Sequence, residues 1–265
     1  MTNDPYRGGP LPTGFGTCQG CPYRDVGTVA ICYPCARQTI PKLPPSRCEV
    51  CDQALSTRGS QCGNPVCNWP TSSAAPTSTR QRNIRWFEWN FAVAMRGGEL
   101  EWAINNYKYG GVRIWAVIFG RVLAGFLHDH RRTFGDFDLV IPSPTYTGRG
   151  GRDFDHTAEV LREAAELDEM GLRFVIDPPI IAKTGPTKKL VDCSGWSERR
   201  YVCEYDLPGV LAVQDASRVE GNAILVYDDV FTDGLNINAV AKKLRGAGAA
   251  EVSQVTLARQ PWRDR

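Results

Sequence analysis

The spacing of the cysteines constrains the fold of this chain more than any other feature of its sequence. Eight of the ten cysteines lie between residues 18 and 67. They form two similar units, each with two cysteine pairs separated by ten residues: Cys18, Cys21, Cys32 and Cys35, then Cys48, Cys51, Cys62 and Cys67. The first three positions recur after 30 residues and the fourth after 32. The repeat indicates two copies of one small structural unit.

Cysteine pairs at this spacing are typical of structural zinc sites. A C-x2-C turn presents two thiolates, and two such turns supply the four tetrahedral ligands that zinc prefers. We therefore predict two structural zinc ions, with an iron–sulfur cluster as the main alternative. The repeat favours one site in each unit, although Cys32 and Cys35 could instead share a metal with Cys48 and Cys51. Four thiolates leave no open position on the metal, so these ions would stabilise the fold and not perform catalysis.

The composition changes after the last of these cysteines. The stretch WPTSSAAPTSTRQR is rich in Ser, Thr and Pro and has no apolar periodicity, so it is predicted to be a linker. We place a double zinc-ribbon module and this linker at 1–80 and a second domain at 81–265. Strand-like and helix-like segments alternate in the second domain, as in an α/β fold with a parallel sheet covered by helices. We expect helices over 99–109, 112–130, 155–170 and 236–245, and strands over 87–91, 138–142, 173–176, 223–227 and 251–257.

Charge and hydropathy exclude several classes of protein. Lys and Arg total 31 against 29 for Asp and Glu, so nucleic acid binding remains possible but the net charge does not support it. The strongly apolar stretch 114–127 is shorter than the ~20 residues of a membrane span. The N-terminus has no apolar run behind a basic start, as a secretory signal would require. We expect a cytoplasmic protein without a membrane segment.

An acidic pair, Asp228 and Asp229, follows an apolar strand and precedes the turn VFTDGLN and a helix. Free backbone N–H groups and the helix dipole make such a turn a good anion site, and Gly234 permits close approach of a ligand. Two adjacent carboxylates can accept hydrogen bonds from paired hydroxyls, as on a ribose. The sequence therefore predicts a ribose-5-phosphate site, while an acidic turn that only caps the helix fits the loop equally well.

The segment ILVYDDVFTDGLN resembles the phosphoribosyl pyrophosphate motif of type I phosphoribosyltransferases. The whole chain resembles the ComF-like family, in which zinc-ribbon cysteines precede such a domain. Further stretches fall in the family's order and extend the resemblance over nearly the entire chain: LPPSRCEVC, INNYKYGG, DLVIPSP followed by RGGRDFDHTAEVL, SERR and GAGAAEVSQVTLAR. The resemblance implies a Rossmann-like parallel sheet with a hood, and transfer of ribose 5-phosphate from phosphoribosyl pyrophosphate, with Mg2+, to a nitrogen acceptor. In some members it also implies a link to DNA uptake.

The resemblance implies roles for individual residues. Asp228 and Asp229 would hold the ribose hydroxyls, and the segment 183–200 would be a mobile loop over the site. The residues expected to wrap the 5-phosphate are Thr232, Asp233, Gly234, Leu235 and Asn236. The cations expected near the leaving pyrophosphate are Arg149, Arg152, Lys183, Lys188, Lys189 and Arg199. Of all these residues, those expected to take part in catalysis are Asp228, Asp229, Asp233 and Arg199.

The phosphate loop departs from the family pattern, most clearly at Asp233. The family reads close to TTGAT, whereas this chain has TDGLN, which places Asp233 within an anion site. A carboxylate ~5 Å from a phosphate charge costs about 3 kcal/mol at an effective dielectric constant near 20. We therefore expect Asp233 to point away from the phosphate or to weaken its binding.

Three functions remain open from the sequence. The first is a phosphoribosyltransferase with an unidentified acceptor. The second is a non-catalytic sensor of phosphoribosyl pyrophosphate or nucleotides that docks a protein partner through its zinc module. The third is an accessory protein of DNA processing, which the weak net charge disfavours.

Overall fold

The computed structural model describes residues 40–57, 59–72 and 83–262. The first cysteine unit, with Cys18, Cys21, Cys32 and Cys35, lies outside this part of the chain, and so does most of the predicted linker. The second cysteine unit and nearly all of the predicted second domain lie within it. None of the helices in the described ranges has the length and apolarity needed to cross a membrane.

A four-stranded parallel sheet forms the centre of the described structure. Its strands are β1 (Asn90–Met95), β2 (Leu139–Pro142), β5 (Ala223–Phe231) and β6 (Glu251–Arg259), in the spatial order β1-β6-β5-β2. All three pairings are parallel. A separate antiparallel pair is formed by β3 (Ile181–Lys183) and β4 (Leu211–Val213). The expected α/β architecture with a parallel central sheet is confirmed.

Helices cover the sheet. The longer ones are α1 (Gly98–Gly110), α2 (Trp115–Asp129), α4 (His156–Ala165) and α7 (Leu235–Gly246), and the shorter ones are α3 (Arg131–Phe134), α5 (Trp196–Tyr201) and α6 (Leu207–Val210). Alternate side chains of β5 enter two different hydrophobic clusters: Leu225 and Tyr227 belong to the first, and Ile224 and Val226 to the second. Both faces of the sheet are therefore buried, as expected for a parallel sheet.

The second cysteine unit packs directly on the sheet. Its four cysteines, Val66 and Trp69 belong to the same hydrophobic cluster as Phe87, Ile224 and Phe231. Polar contacts join the same parts, because the Asn64 amide donates to the Asp233 carbonyl and the Trp262 N–H donates to Gln53. The described part of the cysteine unit therefore shares a hydrophobic core with the sheet.

Most predicted elements form close to their expected positions, with four differences. The helix that begins after Asp155 ends at Ala165, and the segment 173–176 contributes only an isolated parallel bridge at Phe174. β1 begins at Asn90 instead of residue 87, and Trp89 remains 42% exposed. β5 continues to Phe231, because its pairing with β6 extends to that residue. The acidic pair therefore lies within the strand and not beyond its end.

Candidate functional site

A cavity of about 910 Å³ opens at the carboxyl ends of β2 and β5. Ligands of parallel α/β sheets bind at this edge of the sheet. Most of the residues predicted for the site line this cavity, namely Asp228, Asp229, Thr232, Asp233, Gly234, Asn236, Arg152, Lys183, Lys188, Lys189 and Arg199. Leu235 and Arg149 are not among the lining residues. Elements far apart in the chain therefore place the predicted polar groups around one space.

The two aspartates of the acidic pair have different surroundings. Asp229 is 3% exposed, and the Lys108 ammonium lies 2.6 Å and 2.9 Å from its two carboxylate oxygens. Asp228 is half-buried, and its Oδ2 lies 3.5 Å from the Asn236 amide at the start of α7. Successive residues of a strand point to opposite sides, so one carboxylate faces α1 and the other α7.

These surroundings separate the pKa values of the pair. Burial and the negative charge of Asp229 raise the pKa of Asp228 to about 7. Burial opposes the ionisation of Asp229, but the adjacent Lys108 ammonium holds its pKa below the usual range. Burial lowers the pKa of His156 to about 3, so this imidazole is neutral although its Nε2 lies 3.6 Å from Asp229. At neutral pH Asp229 carries the negative charge while Asp228 titrates.

We expect Asp228→Asn to change the pH dependence of stability. The folded state holds the Asp228 proton more tightly than the unfolded state, so the free energy of unfolding of the wild type should fall as pH rises from about 4 to about 7. Above that range the variant should be more stable than the wild type by about 1–3 kcal/mol, whereas near pH 4 the two should be equal. Urea denaturation at several pH values measures this difference. A difference that does not vary with pH would contradict the surroundings assigned to Asp228.

Asp233 is not an unpaired anion within the loop. Its side chain is buried, and Oδ2 lies 2.8 Å from the Arg199 guanidinium. Its Oδ1 accepts the backbone N–H of Leu235 at 3.0 Å. Arg199 and this amide offset the repulsion of a phosphate that the sequence predicts. The contact with Oδ1 also occupies the Leu235 N–H, which is one of the free N–H groups at the start of α7.

The turn before α7 requires a glycine. Gly234 has φ +83°, and a Cβ at this position would lie 2.8 Å from the Phe231 ring and 3.3 Å from the Phe87 ring. Only glycine adopts this conformation readily while leaving room for both rings. The sequence signal for the turn therefore corresponds to a real steric constraint.

Basic groups line other parts of the cavity. The Arg152 guanidinium lies over the Tyr109 ring at 5.4 Å from its centre. The Lys183 ammonium donates to the Thr187 hydroxyl at 2.7 Å, and burial lowers the pKa of Lys183. Both cations can reach a polyanion in the cavity.

Two residues of the site were not among the predicted ones. Lys108 lies in the last turn of α1, where a basic residue needs no explanation beyond the helix dipole. His156 begins α4 after the Asp155 cap, and its carbonyl accepts a hydrogen bond from Tyr107. No spacing rule connects either residue with β5, because only tertiary packing brings them together.

The second cysteine unit forms a compact thiol cluster. Cys48, Cys51, Cys62 and Cys67 are all buried, and their sulfur atoms lie within 4.8 Å of one another. The sulfurs of Cys51 and Cys62 are 3.9 Å apart, close to the roughly 3.8 Å between thiolates in tetrahedral zinc geometry. This four-cysteine group could therefore hold a zinc ion, and its membership matches the predicted second site.

A second group also brings possible metal ligands together. His156, Asp228 and Asp229 each place one ligand atom within 4.8 Å of the others. The Lys108 ammonium already neutralises Asp229 within this group. One possible ligand of this group is therefore already paired with a cation.

The fold brings two predicted features next to each other, a polar cavity and a four-cysteine group. Both are built from residues that the sequence singles out, and the loop 231–236 lies between them. No protein-family model matches the chain, and a search of curated proteins found no match to it. An assignment of function therefore depends on this geometry and on the sequence motifs.

Proposed function

We propose that this protein is a phosphoribosyltransferase of the ComF-like family, which transfers ribose 5-phosphate to a nitrogen acceptor and releases pyrophosphate. One observation carries the proposal. The acidic pair of the segment that resembles the phosphoribosyl pyrophosphate motif, and the turn that follows it, line one cavity at the carboxyl ends of parallel strands. This is the position in which α/β sheets bind nucleotides and sugar phosphates.

The ribose and its 5-phosphate would occupy the side of the cavity formed by β5 and α7. Asp228 and Asp229 would accept hydrogen bonds from the two ribose hydroxyls. Backbone N–H groups of the turn 232–236 and the positive end of the α7 dipole would hold the phosphate. The Asn236 amide adds a side-chain donor at the same place.

The leaving pyrophosphate would be neutralised by Arg152 and Lys183, which line the same cavity. The carboxylate oxygens of Asp228 suit Mg2+, and the bound ion would supply further charge neutralisation to the pyrophosphate. As the C1–O bond breaks, positive charge develops on the ribose ring near the Asp229 carboxylate. The C1–O electron pair would leave with pyrophosphate, a nitrogen lone pair of the acceptor would form the new bond to C1, and the proton of that nitrogen would pass to water. Catalysis would therefore be mainly positioning and electrostatic stabilisation.

A non-catalytic sensor of phosphoribosyl pyrophosphate is the second candidate. It is favoured by the contact between Asp233 and the Leu235 N–H, which removes one donor from the phosphate site. A sensor would bind phosphoribosyl pyrophosphate without releasing pyrophosphate in the presence of ammonia or any of a panel of nitrogenous bases. A pyrophosphate-release assay with these acceptors separates the two candidates, because a transferase produces stoichiometric pyrophosphate with at least one of them.

We further propose that the cysteine units hold two structural zinc ions. Elemental analysis of the purified chain should find two moles of zinc, and Cys51→Ser should reduce this to one, because Cys51 belongs to the described four-cysteine group. Cys193→Ser is the matched control, since Cys193 lies outside that group. Iron, or the same zinc content in the Cys51 variant, would contradict the assignment.

A further inference from the structure

The loop at the end of β5 is held from outside by two buried side chains. The Arg259 guanidinium, at the end of β6, donates to the carbonyls of Phe231 at 3.2 Å and Thr232 at 2.7 Å. The Asn64 amide, in the second cysteine unit, donates to the Asp233 carbonyl at 3.1 Å. Each of these three consecutive carbonyls therefore accepts a hydrogen bond from Arg259 or Asn64.

Arg259 also contacts the four-cysteine group. It is fully buried, and its Nη2 lies 3.5 Å from the Cys51 sulfur. A metal ion with four thiolates carries a net negative charge of about two, so a buried guanidinium beside it is a favourable partner. Outer-shell donors of this kind orient the ligands of a metal centre. Arg259 thus joins the metal centre to the backbone of the loop.

Asn64 is joined to the same group through its own turn. Its Oδ1 accepts the Val66 N–H and so caps the short turn Pro65–Asn68, which carries Cys67. The cysteine unit has little regular secondary structure, so bound metal is expected to hold its turns in place. Loss of the metal would release the turn that presents the Asn64 amide to Asp233.

We infer that Arg259 and Asn64 are positioning residues that tie the loop 231–234 to the four-cysteine group, so that loss of the metal loosens the loop and weakens its hold on a phosphate. The inference rests on the proposed function in one respect, namely that this loop binds the 5-phosphate. The metal would act on ligand affinity without touching the ligand.

Hydrogen–deuterium exchange of the ligand-free protein tests the tie directly. The readout is exchange in a peptide spanning 231–237, compared with a peptide from β2. Asn64→Asp keeps the acceptor for the Val66 N–H and removes the donor to Asp233, while Asn64→Ser removes the donor without adding charge. Asn68→Asp is the matched control, because the Asn68 amide donates to the Cys62 and Asn64 carbonyls within the cysteine unit and not to the loop.

Both Asn64 variants should exchange about tenfold faster in the loop than the wild type. β2 and the zinc content of these variants should be unchanged. Removal of zinc from the wild type by a chelator should also speed exchange in the loop, and by a larger factor than in β2, whereas Asn68→Asp should not. Equal loop exchange in the Asn64 and Asn68 variants would overturn the inference, as would unchanged loop exchange after zinc removal. If chelation unfolds the whole chain, the inference is decided by loop exchange in the zinc-loaded Asn64 variants compared with zinc-loaded Asn68→Asp.

A binding measurement distinguishes failure of this inference from failure of the proposed function. With phosphoribosyl pyrophosphate and Mg2+, the dissociation constant of both Asn64 variants should rise about tenfold, and that of Asn68→Asp should match the wild type. If the wild type does not bind this ligand, the proposed function fails while the exchange data still decide the tie. If the wild type binds and all variants bind equally well, the inference fails and the proposed function stands.

Discussion

Asp229→Asn should abolish Mg2+-dependent binding of phosphoribosyl pyrophosphate, with a dissociation constant raised at least ~100-fold. The substitution removes a charged acceptor for a ribose hydroxyl. It also leaves Lys108, which lies 2.6 Å from the Asp229 carboxylate, as a largely buried cation without its partner. Breaking a buried ion pair in this way typically costs about 3–5 kcal/mol. Isothermal titration calorimetry of the variant and the wild type measures the loss.

A double variant separates lost binding from lost folding. Lys108→Met together with Asp229→Asn removes both partners of the ion pair, so it should recover most of the stability of the wild type. It should not recover binding, because the carboxylate remains absent. If Asp229→Asn binds phosphoribosyl pyrophosphate as the wild type does, the acidic pair only shapes the turn before α7 and the ribose site is not there.

Cys51→Ser should destabilise the sheet as well as the cysteine unit. Cys51 is fully buried, and it shares a hydrophobic cluster with Phe231 of β5 and Leu235 of α7. Loss of a metal ligand at this position should lower the free energy of unfolding by at least about 3 kcal/mol. Because the core is shared, thermal unfolding followed by circular dichroism should remain one transition that moves to lower temperature.

Cys193→Ser should leave the same transition almost unchanged, since Cys193 is not part of the buried cluster. Two separate transitions in the Cys51 variant, with the later one at the temperature of the wild type, would contradict the shared core. That result would indicate a cysteine module that unfolds independently of the sheet.

Periodicity and capping rules predict the long elements of this fold well. The Asp155 side chain caps α4 by accepting hydrogen bonds from the backbone N–H groups of Thr157 and Ala158. Its position before an apolar helix indicates this role. β3 and β4 have three residues each, too few for an alternation to be recognised. The end of β5 is also set by tertiary pairing, because its last residues pair with β6 beyond the apolar run.

The candidate site is predicted in its motif but not in its ion pairs. The acidic pair, Gly234 and the loop are adjacent in sequence, so one strand–turn–helix signal locates them together. Lys108 and Arg199 reach Asp229 and Asp233 from other elements, and charge partners at such distances along the chain leave no local pattern. For this reason the expected repulsion at Asp233 is offset in the fold by Arg199, a residue that the family resemblance places near the leaving group.

Calorimetric titration of the zinc-loaded wild type with phosphoribosyl pyrophosphate and Mg2+ tests the central claim most directly. We predict one binding site per chain, with affinity that falls at least about tenfold when Mg2+ is omitted. Ribose 5-phosphate should compete for the same site with lower affinity, since it lacks the pyrophosphate that Arg152 and Lys183 would contact. Absence of binding to the folded, zinc-loaded protein would contradict the assignment of this cavity as a phosphoribosyl pyrophosphate site.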